Sequence, residues 1–96
     1  MAEAIILEFP GDAALYLKVD EILGTKPDGT GDWPDGLLSH VGASPGGDRL
    51  LVFEVWESKA KQEAFMNERL GAALAQAGAP APTRMEWFEV LGQFTA

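Results

Sequence analysis

His40 is the only histidine in 96 residues, and it stands between two apolar runs joined by a proline-glycine turn, in GLLSHVGASPGGDRLLVFEVWES (residues 36–58). An imidazole with an ordinary pKa of about 6.5 exchanges protons at neutral pH, and a carboxylate beside it fixes its tautomer. Glu54 is the carboxylate that strand parity offers. With both on one face, His40 would be a general base and Glu54 its orienter, while Trp56 would stack as a wall against a flat ring. Trp33, as a lid on its loop, and Phe65 are the further candidates for substrate contact. Tyr16 would donate a hydrogen bond to a developing oxyanion, and Arg84 would stabilise the same charge if its strand end reaches the site. Each residue also has a plainer role. A lone strand histidine is commonly packed and bonded to a carbonyl, and aromatic side chains dominate small cores. Glu54 and Arg84 suit a wet margin, Tyr16 suits the solvent side of a helix, and Trp33 suits an anchor for a long loop.

The elements that must position these residues follow from periodicity and breakers. EAIILEFP is an Ile-rich run stopped by Pro10 and Gly11, a buried first strand. GDAALYLKVDEILG repeats Leu15, Val19, Ile22 and Leu23 at helical spacing, with Asp12 as N-cap and Gly24 as stop. TKPDGTGDWPD, residues 25–35, is too rich in Gly, Pro and Asp for either element and forms a loop around Trp33. Two strands follow, residues 36–43 and 49–57, with SPGG as the hairpin turn. Ser58 then caps a helix running to Gly78, with Phe65, Leu70, Ala73, Leu74 and Ala77 as its stripe and Gly71 as a bend or close contact. TRMEWFEVLGQF gives a last strand over residues 85–91.

The order β, α, β, β, α, β predicts an α+β, ferredoxin-like single domain over residues 1–96, a four-stranded antiparallel sheet with both helices on one face. Hairpin register decides what His40 sees. With Ser44 opposite Asp48, His40 faces Val52 and shares its side with Glu54 and Trp56; with Ala43 opposite Asp48, that side slips to Leu51, Phe53 and Val55. The first register is preferred because it gathers the polar and aromatic candidates. The second and third strands are apolar on both sides, so a sheet covered by helices on one face only needs a second cover. A homodimer, sheet against sheet, supplies it.

The bulk composition closes several function classes. A net charge of −8, from 7 basic and 15 acidic residues, with no basic stripe, argues against nucleic acid and against an anionic membrane surface. No apolar stretch approaches the roughly 18 residues of a spanning helix. Zero cysteines remove disulfides and thiolate chemistry. The acidic start MAEAIILEFPGD lacks the pattern of a signal peptide, which makes a cytoplasmic location the expectation. One histidine and scattered carboxylates supply no metal site, GTGDWPDG does not lead from a strand into a helix as a phosphate cradle would, and no cofactor is expected.

The GLLSHV strand with its single histidine, the hairpin, the VFEVWES strand running straight into a helix that carries Phe65, and a last strand containing Glu and Phe resemble the dimeric α/β-barrel proteins, in particular the antibiotic biosynthesis monooxygenase-like branch. The likeness spans about residues 5–94. It implies a homodimer with a separate pocket in each subunit, between sheet and helices, holding a small aromatic or polyketide-like ligand. Activities it implies are cofactor-free oxygenation or cyclisation, in which His40 would take a proton from an activated phenol and Tyr16 would steady the phenolate. Haem-degrading relatives keep an axial histidine on the second helix, and KAKQEAFMNERLGAALAQAG has none. Two other readings stay open: a non-catalytic ligand-binding or stress-related dimer in which His40 and Trp56 are structural, and an accessory subunit whose acidic surface docks a larger enzyme.

Overall fold

Ile5, Leu7 and Phe9 alternate with Ala4, Ile6 and Glu8 along β1 (Glu3–Pro10), so one side of the strand is aliphatic and aromatic throughout, and this side lies in the core. The structure is a computed structural model and describes residues 2–94 and 96. β1 is followed by α1 (Ala13–Leu23), β2 (Leu37–Ala43), β3 (Arg49–Trp56), α2 (Lys59–Phe65), α3 (Gly71–Ala77) and β4 (Arg84–Glu89). The four strands form one antiparallel sheet in the order β2-β3-β1-β4. This is the ferredoxin-like α+β arrangement. Among the described residues no helix is long and apolar enough to cross a membrane.

The helix limits follow the sequence signals. Asp12 accepts the Leu15 N–H at 3.0 Å, and Gly24 closes α1 in the left-handed region at φ 82°. Ser58 caps α2 by accepting from the Lys61 N–H, and Gly78 ends α3. The second helix is not uniform, however. A π-helical turn, Met66–Leu70, joins α2 to α3, and the Gly71 N–H reaches back to the Met66 carbonyl. A Cβ on Gly71 would come within 2.9 Å of that carbonyl oxygen, so the residue type permits the wide turn. Its effect is to rephase the buried stripe. Phe65 and Leu70, five residues apart, both face the sheet, and Ala73 and Ala77 continue the line.

Between sheet and helices the core gathers Ile5, Leu7, Phe9, Leu50, Val52 and Trp56 with Phe65 and Leu70, and Leu15, Tyr16, Val19, Leu23 and Leu74 close it from the helices. Burying such side chains at about 1.5–3 kcal/mol each is what offsets chain entropy in a domain of this size. The opposite face has no helix. Val41 and Phe53 are roughly half exposed there, and Phe88 is more than a third exposed.

The hairpin departs from expectation in register and in one bulge. His40 pairs with Glu54 rather than Val52, two residues further along β3, because the turn is longer than SPGG alone: Ala43 already pairs with Leu51, and Gly46, Gly47 and Asp48 all take positive φ. A shift of two keeps every side chain on its expected side. Leu38 is an extra residue between the pairs Leu37–Trp56 and Ser39–Val55. Leu37 therefore joins His40 on the helix-facing side, whereas simple alternation put it on the other. β4 ends at Glu89, opposite the start of β1 at Glu3, two residues before the expected limit at Leu91. Beyond that pair Ala2, just before β1, offers one more contact, its carbonyl accepting from the Val90 N–H at 3.3 Å.

Candidate active site

β3 presents Glu54 and Trp56 to the helix side, and β2 sets His40 directly across from Glu54. The result is a continuous hydrogen-bonded chain. Trp56 Nε1–H donates to Glu54 Oε1 at 3.0 Å, and His40 Nδ1 lies 2.7 Å from Glu54 Oε2. Tyr16, reaching in from α1, places its hydroxyl 2.5 Å from His40 Nε2. A carboxylate accepts only, so Nδ1 carries the imidazole proton, Nε2 is an acceptor, and the Tyr16 O–H donates to it. Glu54 is only 4% exposed, which makes these two donors its necessary partners. Burial, and then the negative charges of Asp20 and Glu54, push the Tyr16 phenol up to about 12. Tyr16 holds its proton and aims it at His40.

Local structure explains how Tyr16 gets there. The residue across from Val52 on β2 is Gly42, and a Cβ built on it would run into the Tyr16 ring. Any larger residue would push the phenol off the sheet. Trp33 covers the imidazole from the loop side, ring centroids 4.9 Å apart, and its Nε1–H donates to the Thr30 carbonyl at 2.9 Å.

The chain borders a cavity of about 70 Å³ between sheet and helices, several times what one water needs. Its walls are mainly apolar, with Leu7, Phe9, Leu50 and Phe65 among them, and its polar lining comes from Tyr16, His40, Glu54, Asp20 and Thr25. Tyr16, Trp33, Leu37 and His40 also line an open groove that runs outside along β2 past Lys26 and Pro27. These four residues are thus the partition between cavity and solvent.

Of the residues singled out from sequence, Tyr16, His40, Glu54, Trp33 and Phe65 line this cavity. Trp56 and Arg84 do not. Trp56 is fully buried beneath the site, tilted against Phe65 at 5.8 Å, so its contribution is the indole N–H on Glu54 and not a stacking face. Arg84 pairs with Glu8 of β1 on the sheet's other side and is spent on Glu86 at 2.8 Å in solvent, so it stabilises no oxyanion here. Two residues of the site escaped the sequence reading. Gly42 gave no signal beyond its place two residues after His40. Asp20 lies four residues after Tyr16, which puts both on one helix face, and an acidic residue among Leu15, Val19 and Leu23 was the available clue.

No protein-family model and no curated protein matches the chain in sequence. Solved structures do match in shape. One is a Chloroflexus aurantiacus protein described as a candidate antibiotic biosynthesis monooxygenase, 17% identical, with a TM-score of 0.66 over 99% of this chain and 98% of that one. The fold is that of the antibiotic biosynthesis monooxygenase-like proteins. A monooxygenase from the gene ActVA-Orf6 of Streptomyces coelicolor, in complex with nanaomycin D, shares this antibiotic biosynthesis monooxygenase-like fold at 20% identity and a TM-score of 0.58, over 99% and 91% of the two chains. A variant of MhuD with two manganese protoporphyrin IX molecules per active site matches at 21% identity and a TM-score of 0.57, each chain covered completely. At these identities the likeness concerns the fold.

Proposed function

We propose that the protein is a cytoplasmic homodimer in which each subunit moves a proton on a small aromatic or polyketide-like molecule, as a cofactor-independent monooxygenase or cyclase. The observation that carries this reading is the chain Trp56, Glu54, His40, Tyr16, which ends beside an apolar cavity. Such a chain is built to pass charge. A ring hydroxyl seated at Tyr16 gives its proton to the phenol oxygen while Tyr16 gives its own to His40 Nε2, and the imidazolium is steadied by the Glu54 carboxylate. The ring leaves the step as an electron-rich phenolate. Dioxygen then oxidises a ring methylene to a carbonyl, with water as the second product, or the activated carbon closes on a carbonyl in an aldol step.

The nanaomycin complex of the Streptomyces coelicolor neighbour supports an aromatic polyketide-like ligand by analogy of fold. A second reading, a non-catalytic ligand-binding dimer, has its own support. Both His40 nitrogens are satisfied within the protein, and the cavity as it stands is small.

Oxygen uptake and product analysis with anthrone- and quinol-type rings distinguish them. His40→Gln is expected to lower turnover by about 100-fold or more, the usual share of a general base, while the melting temperature falls only slightly. Binding without turnover in the wild type would leave the binding reading as the better one, whereas equal turnover in both proteins would remove His40 as the base.

A further inference from the structure

Asp20 is 94% buried on α1, one turn beyond Tyr16, and it lines the same cavity. Thr25 Oγ1–H donates to its Oδ1 at 2.8 Å. Its Oδ2 is buried too and meets no donor among the described residues. A buried carboxylate oxygen without a donor is costly, and native proteins rarely keep one without a use. The remaining polar atoms of the site are already committed: Glu54 holds His40 and Trp56, and His40 holds Glu54 and Tyr16. Asp20 Oδ2 is the acceptor left over.

The charge of the lining points the same way. Asp20 and Glu54 are both carboxylates, and among the described residues no lysine or arginine lines the cavity. An anionic ring would enter against two like charges in a low-dielectric space. Burial first, and then these two charges, hold the Tyr16 phenol neutral.

We propose that Asp20 Oδ2 accepts a hydrogen bond from a ring hydroxyl of the ligand, and that the cavity selects uncharged, hydroxylated rings over ring carboxylates. The proposal rests on the aromatic-ligand reading above and adds its specificity. Tyr16 and Asp20 lie one helical turn apart on the same face of α1 and both line the cavity, so a ring carrying two hydroxyls can be met by both. One hydroxyl then meets Tyr16 and the other meets Asp20. Asp20 is a specificity residue in this scheme and takes no part in the proton transfer.

The test is an anaerobic NMR titration of the full chain with hydroquinone, its monomethyl ether para-methoxyphenol, and para-hydroxybenzoate. Hydroquinone is expected to bind about tenfold more tightly than the ether, with the carboxylate weakest, because the ether and the acid leave Oδ2 unpaired or repelled. In Asp20→Leu the hydroxyl preference disappears. Asp20→Asn keeps a carbonyl acceptor without the charge, so it retains the hydroxyl preference and admits para-hydroxybenzoate more readily. Equal binding of hydroquinone and its ether by the wild type, or a preference unchanged in both variants, overturns the proposal and leaves the proton chain untouched. Normal discrimination with no turnover in the oxygen-uptake assay would instead sink the catalytic reading and spare Asp20's role. If none of the three rings binds, both are wrong.

Discussion

Tyr16 is the chain's only tyrosine, so the ultraviolet absorbance of its phenolate reads one group. In the folded protein it is expected to titrate at about 12, against 10.0 for a free phenol, because burial and then the charges of Asp20 and Glu54 oppose ionisation. The sign for stability follows from linkage. As pH rises past 10 the unfolded chain releases a proton that the folded chain still holds, so the contribution of the neutral phenol is complete below pH 10 and is lost on the way to 12. Melting temperature therefore declines through that window, and Tyr16→Phe removes this part of the decline. A titration midpoint at the free value would mean that the phenol is not buried beside these carboxylates. That His40 and Glu54 share a face followed from strand parity only in the preferred of two hairpin registers, and the observed pairing, two residues from that register, keeps the parity. Tyr16's position was not legible, because it depends on how α1 packs over Gly42, a contact between elements that no local pattern encodes. Trp56 misled for a related reason: an aromatic at the right parity can be a wall or a foundation, and only the depth of burial decides.

At the level of elements, the loop of residues 25–35 is held over the site by two side chains from the second helix, Lys61 on the Asp35 carboxylate at 2.6 Å and Arg69. Arg69, on the π-helical turn, donates from Nη2 to the Leu23 carbonyl at 3.0 Å and the Asp32 carbonyl at 2.8 Å, and lies 3.3 Å from the Asp32 carboxylate. It thereby ties the end of α1 to the residue preceding Trp33. Arg69→Ala is expected to cost about 1–2 kcal/mol, the lower range for bonds from a charged donor, since the group is partly exposed. Amide exchange in residues 25–35 should quicken while the sheet stays protected, because the loop is freed and the core is not. Unchanged exchange there would assign the loop's order to Trp33 and Lys61 instead. Arg69→Lys should rescue in part, because every contact comes from the one nitrogen Nη2 and an ammonium also carries several donors, on a shorter stem. The sequence carried a trace of the π turn in the five-residue step from Phe65 to Leu70, which a regular helix would not place on one face. Element order and capping were readable because Asp12, Gly24, Ser58 and Gly78 act within a few residues of themselves. Hairpin register was not, since a turn with three positive-φ residues sets it, and the Leu38 bulge left no local mark in the alternation of β2.

The whole molecule exposes about 5761 Å², against roughly 5,400 Å² for a compact monomer of 10.3 kDa. Much of what is unusual about that surface is its apolar content on the side without helices. Val41, Phe53 and Phe88 project from the open face of the sheet, and the segment after β4 overhangs it with Leu91 and Phe94 about 90% exposed. A net charge of −8 keeps single chains apart at long range, yet it does not cover this face, and contiguous apolar surface of that kind marks an interface. The proposed second copy would cover this face, since two such faces are alike in chemistry and a two-fold axis pairs a surface with itself. Sedimentation at micromolar concentration is expected to give a dimer, and the melting temperature should rise with protein concentration, as it does whenever folding and association are coupled. Phe53→Glu, on the open face and away from the cavity, should yield a monomer of lower melting temperature whose Tyr16 titration is unchanged if each pocket belongs to one subunit. A folded wild-type monomer whose melting temperature is independent of concentration would remove the second copy and leave the open face to a different partner. A Tyr16 titration altered by Phe53→Glu would show that the subunits share the site, because the charge network around Tyr16 is internal to one chain in every contact described above.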